Sequence, residues 1–304
     1  MTSRLRYLVT GHKGQVVQSL LEQSKRPEHE RIELVAVGRP DLDLAKPETI
    51  RTTVNKIKPD LIISAAAYTA VDQAESDEET ARAVNALGPR ALAEAAASRK
   101  IPIIHLSTDY VFDGMKSEPY VETDAVGPTS AYGRTKLEGE RVVQEATDNA
   151  VILRTAWVYS AFGKNFVKTM LRLAETRDSV NVVADQFGNP TSALDIADGI
   201  FKIARNLTED GDRTLRGMFH MAGRGEASWA DFAEEIFRLS ASKGGPSAAV
   251  GRISTVEYPT PAKRPANSRL SNFALRAAHA VELPTWQHSV NDIVERLVAS
   301  KTYL

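Results

Sequence analysis

The sequence has no cysteine among its 304 residues. Structural disulfides, thiolate nucleophiles and cysteine-held iron–sulfur clusters are therefore excluded. An excess of either charge is missing too: 38 basic residues stand against 39 acidic ones, with no long block of one sign. That balance gives no support to nucleic acid or a membrane surface as partner. No apolar run approaches a membrane span, and the opening residues 1–11 hold too few apolar side chains for a signal peptide. The 6 histidines are scattered without metal-ligand spacing and read as structural or solvated. What is present is 42% hydrophobic and 25% charged residues, the balance of a globular chain with ample length for a core. A cytoplasmic enzyme or binding protein is the expectation.

The first half alternates short apolar runs with helical patterns. Strands are expected at Leu5–Thr10, Ile32–Val37, Asp60–Ser64, Pro102–Leu106 and Val151–Arg154. Between them lie helical patterns at Gln15–Ser24, from Pro47 onward, at Ala74–Asn85 and Pro89–Arg99, and at Ala131–Ala146. Strands spaced by helices in this way form βαβ units, so the fold class is α/β with a doubly wound parallel sheet. Beyond about residue 157 the rhythm loosens. Helices are expected at Asn165–Glu175, Asp195–Asn206 and Trp229–Leu239, β-rich runs at Val180–Ala184 and Met218–Ala222, and loops at Asp185–Thr191 and Tyr258–Pro265. The division expected is a nucleotide-binding core over 1–157 and a smaller C-terminal α/β substrate lobe over 158–304, with about 180–206 returning to the core.

Thr10-Gly11-His12-Lys13-Gly14-Gln15-Val16-Val17 joins the first strand to the first helix. Glycines there permit a tight turn and let backbone amides approach a pyrophosphate at a helix N-terminus. Gly11, Lys13, Gly14, Gln15 and Val16 are accordingly cofactor candidates, although Val17 stands where a third glycine would favour close helix packing. After the second strand comes Arg39 rather than an acid. An arginine can pair with a 2′-phosphate, which favours NADP(H) while leaving NAD(H) open. Asp43 and Leu44 are candidates on the adenine side. Ala65, Ala66 and Ala67 end the third strand with side chains small enough for backbone to lie against a cofactor.

Tyr132 and Lys136 stand four apart on an expected helix, ~40° apart around its axis and one turn along it. A phenol beside an ammonium gains stability as phenolate, so the expected effect is a lowered Tyr132 pKa and proton exchange near neutrality. Thr108, in Ser107-Thr108-Asp109-Tyr110-Val111-Phe112-Asp113-Gly114, could complete the set by hydrogen-bonding a substrate oxygen.

Taken together, Gly11-x-x-Gly14, Ala65–Asp72, Ser107–Gly114 and Tyr132–Lys136 resemble the extended short-chain dehydrogenase/reductase superfamily. Within it, the chain is similar nearly end to end to the dTDP-4-dehydrorhamnose reductases. The shared elements include Arg154–Tyr159, Gly163–Phe166, Asp185–Thr191 and Arg264–Leu270. The resemblance implies a Rossmann-like core and reduction of the 4-keto group of a 6-deoxy sugar nucleotide by a nicotinamide cofactor. Thr108, Tyr132 and Lys136 would take the catalytic roles. Lys136 would also hold the nicotinamide ribose. Asp109, Tyr110, Trp157, Asn165, Gln186 and Arg264 are then substrate candidates, the aromatic faces suiting a deoxysugar and the arginine a diphosphate. Some relatives are dimers sharing a divalent ion held by glutamates. Here the helix after the phosphate loop reads Gln18-Ser19, so no metal is expected, and a homodimer is left open.

Rival functions remain at this point. A sugar-nucleotide dehydratase would carry an Asp-Glu pair directly after the threonine, whereas Tyr110 follows Asp109. A reductase of another nucleotide-linked 4-keto-6-deoxy sugar or a 4-epimerase is compatible with the same set, as is a non-catalytic nucleotide-binding regulatory subunit.

Overall fold

The computed structural model describes residues 4–303. Five strands form in the first half: β1 (Leu5–Thr10), β2 (Ile32–Val37), β3 (Leu61–Ser64), β4 (Ile103–Thr108) and β5 (Ala150–Thr155). Every residue of β3, β4 and β5 is buried, which is why these strands read as apolar runs instead of alternating. Helices α1 (Gln15–Gln23), α2 (Pro47–Ile57), α3 (Val71–Ala74), α4 (Glu78–Arg82), α5 (Gly88–Arg99) and α6 (Ala131–Ala146) connect or cover them.

The segment Ala74–Asn85 is not the single helix its composition suggests. Turn residues 75–77 part α3 from α4, and a wide π turn at Ala83–Leu87 separates α4 from α5. Buried Asn85 explains the π turn. Its Oδ1 accepts the Tyr68 amide at 2.8 Å, and its Nδ2 donates to Thr135 Oγ1 at 3.2 Å. The turn is thereby pinned both to the loop after β3 and to α6.

The second half contains β6 (Val158–Tyr159), α7 (Phe166–Ala174), β7 (Ser179–Val183), β8 (Phe187–Gly188), β9 (Thr191–Ser192), α8 (Ala193–Glu209) and β10 (Gly217–His220). It continues with β11 (Ala227–Ser228), α9 (Trp229–Ser242), β12 (Ala249–Ile253), α10 (Phe273–His279) and α11 (Trp286–Ser300). The expected loop at Asp185–Thr191 thus holds the short β8 and starts β9, while β12, α10 and α11 were not anticipated. α11 had a readable period, since Val290, Ile293, Val294 and Leu297 are all buried on one face.

The main sheet has the order β10-β5-β4-β3-β1-β2, and all its pairings are parallel. On one face Val17 and Leu20 of α1 pack with Ile196, Ile200 and Ala204 of α8. On the other, Ile50 of α2, Leu92 and Ala96 of α5 and Val143 of α6 form a second layer. A separate cluster joins Val167 and Leu171 of α7, Phe232 and Ile236 of α9, and Val290 and Ile293 of α11. The chain leaves β1 for β2 on one side, while β3 lies on the other. Their C-terminal ends therefore flank a topological switch point, where open α/β sheets leave a crevice.

Candidate active site

A cleft of about 480 Å³ opens at that switch point. Gly11, Lys13, Gly14, Gln15 and Val16 line one wall, and Ala65, Ala66 and Ala67 the floor. Thr10 Oγ1 accepts the amides of Ala65 and Ala66, both at 3.0 Å, and so clamps the two loops together. Gly11 has φ +100°, which a residue with a side chain rarely adopts, and an added Cβ would sit 3.4 Å from the Ala66 side chain. Gly14 begins α1 with no side-chain cap, leaving the first-turn amides for an anion. These features fit a dinucleotide. Val17 is accommodated because Gly11 and Gly14, its neighbours, carry no side chain.

Tyr132 and Lys136 line the same cleft. Their helix starts at Ser130, whose hydroxyl accepts the Gly133 amide at 3.2 Å. Gly133 lies against the Tyr110 carbonyl, so that an added Cβ would collide with it. This close approach sets the first turn of α6 directly beside residues 108–110. Lys136 is 2% exposed. Its ammonium donates to the Leu106 carbonyl at 2.6 Å and lies 3.4 Å from His105 Nε2, whose Nδ1 meets Ser64 Oγ at 3.0 Å. Burial lowers the Lys136 pKa to about 8, against the opposing pull of Glu140 one turn on.

The expected lowering of the Tyr132 pKa is overturned. Burial raises it well above the ordinary phenol value, the nearby Thr108 hydroxyl opposes the rise, and Lys136 is not among the causes. Although Tyr132 retains some exposure as a residue, taking its phenolate out of water is the dominant effect. Tyr132 is thus a neutral phenol at physiological pH, a proton donor in its resting form.

Thr108 and Asp109 are 5% and 2% exposed. Thr108 Oγ1 donates to Asp109 Oδ1 at 2.9 Å and accepts the Tyr110 amide at 3.3 Å. Burial pushes the Asp109 pKa up to about 6. The Tyr110 ring meets Tyr132 edge-on, with centroids 5.7 Å apart, and its hydroxyl accepts from Arg264 at 3.1 Å. Arg264 is held in turn by Asp72 at 2.8 Å. Trp157, at φ +46°, stacks on Trp229 with centroids 3.5 Å apart and donates its indole N–H to Ser268.

Of the sequence candidates, Thr108, Asp109, Tyr110, Tyr132, Lys136 and Arg264 therefore come together. Asn165 and Gln186 do not join them. Asn165 caps α7, accepting the Lys168 amide at 3.2 Å and donating to Gln15 Oε1 at 3.1 Å, so its polar groups brace the cofactor wall. Gln186 is buried and donates to Thr255 Oγ1. Arg39, Asp43 and Leu44 lie after β2, outside the cleft lining. Arg39 is exposed, Asp43 accepts the Ala45 amide, and Leu44 is buried against Gly88 of α5. The cleft also recruits Thr69, Ser107, Thr155, Val158, Gly163 and Lys164, which sequence reasoning did not assign. All six lie in quoted sequence elements, Ala65–Asp72, Ser107–Gly114, Arg154–Tyr159 and Gly163–Phe166, without a role of their own there. Among the described residues no group of three or more histidines or carboxylates could hold a metal, and no helix is long and apolar enough to cross a membrane.

Comparisons with known proteins agree with this fold. The profile of the RmlD substrate binding domain matches residues 5–299. The chain is 51% identical to a dTDP-4-dehydrorhamnose reductase of Sinorhizobium fredii, over 97% of this chain and 98% of that one. Among solved structures, a dTDP-4-dehydrorhamnose reductase from Clostridium acetobutylicum aligns with a TM-score of 0.89 at 39% identity, covering 96% and 99% of the two chains. One from Bacillus anthracis, in complex with NADP, aligns at 0.88 and 34%, covering 95% and 98%.

Proposed function

The chain belongs to the RmlD substrate binding domain family, that of the dTDP-4-dehydrorhamnose reductases, and on that premise we propose that Thr108, Tyr132 and Lys136 carry a nicotinamide-dependent reduction of dTDP-4-dehydro-6-deoxy-L-mannose to dTDP-L-rhamnose. This is the last step of dTDP-rhamnose synthesis. The observation that carries the reading is the shared cleft: Tyr132 and Lys136 form one side of the same crevice whose other side is the Gly11–Val16 turn.

A bound reduced nicotinamide supplies the hydride. The chain does the rest. Tyr132, kept protonated by burial, gives its proton to the 4-keto oxygen as charge develops there. Lys136 is a buried cation one turn away on α6, suited to steady the phenolate left behind and to hold the cofactor ribose. Proton donation of this kind contributes roughly 10²- to 10⁴-fold. Thr108 supplies a second hydrogen bond to the same oxygen, Tyr110 and Trp157 offer aromatic surface to the deoxysugar, and Arg264 meets the diphosphate. Exposed Arg39, after β2, suits the 2′-phosphate of NADP(H) over NAD(H). Lys13, Gln15 and the backbone of Gly14 and Val16 would hold the pyrophosphate.

The test is a panel of keto-sugar nucleotides with both nicotinamides, followed by loss of reduced-cofactor absorbance. Oxidation that requires the 4-keto sugar nucleotide and releases oxidised cofactor each turnover supports a reductase. Interconversion with the oxidised cofactor retained would support an epimerase instead. Absence of both would leave only nucleotide binding.

A further inference from the structure

A threonine hydroxyl has one proton and two acceptor positions. In Thr108 one acceptor position takes the Tyr110 amide, and Oγ1 lies 2.9 Å from Asp109 Oδ1. If Asp109 is ionised, neither of its oxygens can donate, so the Thr108 proton must point at Asp109. The acceptor position left on Thr108 is then open to the phenolic proton of Tyr132, which lies within its influence. In that state both protons needed at the substrate ketone run away from it, from Tyr132 to Thr108 to Asp109.

The other end of the carboxyl tells against that state. Asp109 Oδ2 is buried with no partner among the described residues. Ser268 lies within reach and as a donor would favour the carboxylate, yet its hydroxyl is engaged with the Phe187 carbonyl at 3.3 Å and accepts the Trp157 indole N–H at 3.2 Å. A buried carboxylate oxygen without a donor is the condition under which an acid keeps its proton.

We propose that Asp109 holds a proton in the reactive state and donates it to Thr108 Oγ1, turning the Thr108 hydroxyl and releasing the Tyr132 phenol toward the substrate ketone. The count then closes. Thr108 accepts from Asp109 and from the Tyr110 amide and donates its own proton to the 4-keto oxygen, while Tyr132 transfers its proton to that oxygen. Asp109 loses no proton in turnover, so it is a positioning residue acting through Thr108. It is faced by Thr108 and Tyr110 from its own segment, Tyr132 from α6 and Ser268 from the loop before α10. Arg264 stands one residue away, on the Tyr110 hydroxyl, and is itself paired with Asp72. Burial is the first cause of the rise in the Asp109 pKa to about 6.

This inference rests on the reductase reading, and its test keeps the two apart. The pH dependence of kcat/KM is measured for the wild type, Asp109→Asn and Thr108→Val, with reduced nicotinamide and the 4-keto sugar nucleotide. The wild type should lose rate as pH rises through about 6, tending to tenfold per pH unit, with the loss falling on kcat and not on the cofactor KM. Asp109→Asn, whose amide can donate permanently, should lack this limb. Thr108→Val should lack it as well, and the double variant should be no slower than Thr108→Val alone. Independently of turnover, difference infrared spectra of the ligand-free protein should show a carboxylic-acid band titrating near 6 that Asp109→Asn lacks. A limb unchanged in Asp109→Asn, or a missing acid band, overturns the proposal. A wild type that reduces no 4-keto sugar nucleotide removes the reductase reading instead, and the infrared band still decides whether Asp109 holds a proton.

Discussion

Arg154 on β5 grips Glu140 on α6 through two hydrogen bonds, Nε to Oε1 at 2.9 Å and one terminal nitrogen to Oε2 at 2.7 Å, with side chains only 4% and 1% exposed. Ser107 Oγ donates to the same carboxylate at 2.5 Å, and the guanidinium lies over the Phe112 ring at 4.9 Å. The pair locks α6 to β4 and β5 one turn below Lys136. Glu140→Ala should leave a buried, uncompensated guanidinium and cost about 3–5 kcal/mol. Urea unfolding should show a lowered midpoint with an unchanged slope. A loss within experimental scatter would mean that water reaches Arg154.

Tyr132→Phe keeps the ring and removes the proton. Turnover should fall at least about a hundredfold, with cofactor affinity nearly unchanged. Single-turnover reduction, monitored against cofactor binding by fluorescence, separates the two. Near-normal turnover would dismiss Tyr132 as the donor.

Gly133→Ala tests the close approach of α6 to the loop after β4. The added methyl meets backbone, the Tyr110 carbonyl, which cannot swing aside as a side chain could. Overpacking of this kind costs about 1–3 kcal/mol, and the shift should displace Tyr132 from Thr108 and lower kcat more than it raises KM. Unchanged melting and kinetics would contradict the packing.

Lys136 gives opposite pH signatures for activity and stability. Its folded pKa of about 8 lies below the ordinary 10.5. Between those values the unfolded chain binds the proton and the folded chain does not, so this residue makes stability rise with pH across the window. Activity should fall more steeply above about 8 than below it, as the cation is lost. Lys136→Met should abolish both trends in thermal melts and rate profiles.

Arg39→Ala should weaken NADPH binding more than NADH binding, by about 1.5–3 kcal/mol if a charge-assisted bond to the 2′-phosphate is lost. Titration calorimetry with both cofactors decides it. Equal losses would place the arginine in solvent.

The strands were legible because their signals are local. Leu5–Thr10 and Ile32–Val37 are apolar runs bounded by turn residues, and both form over those bounds. The Tyr132–Lys136 helix begins after Ser130, a capping residue visible in sequence. α10 escaped notice because its amphipathic face spans only Phe273–His279, too short for a period. The interruption at Asn85 was hidden for another reason. It is caused by partners at Tyr68 and Thr135, far along the chain.

The motifs alone determined the family, the α/β alternation and the residues that could carry hydride chemistry, because glycine turns, helix caps and four-residue spacing act within a few residues of one another. Tertiary structure decided the protonation states. The sequence places a lysine beside a tyrosine and suggests an acidified phenol. Burial between α6, β4 and the Asp109 loop reverses that sign and raises the phenol instead. Desolvation depends on everything packed around a group, and no window of sequence contains that.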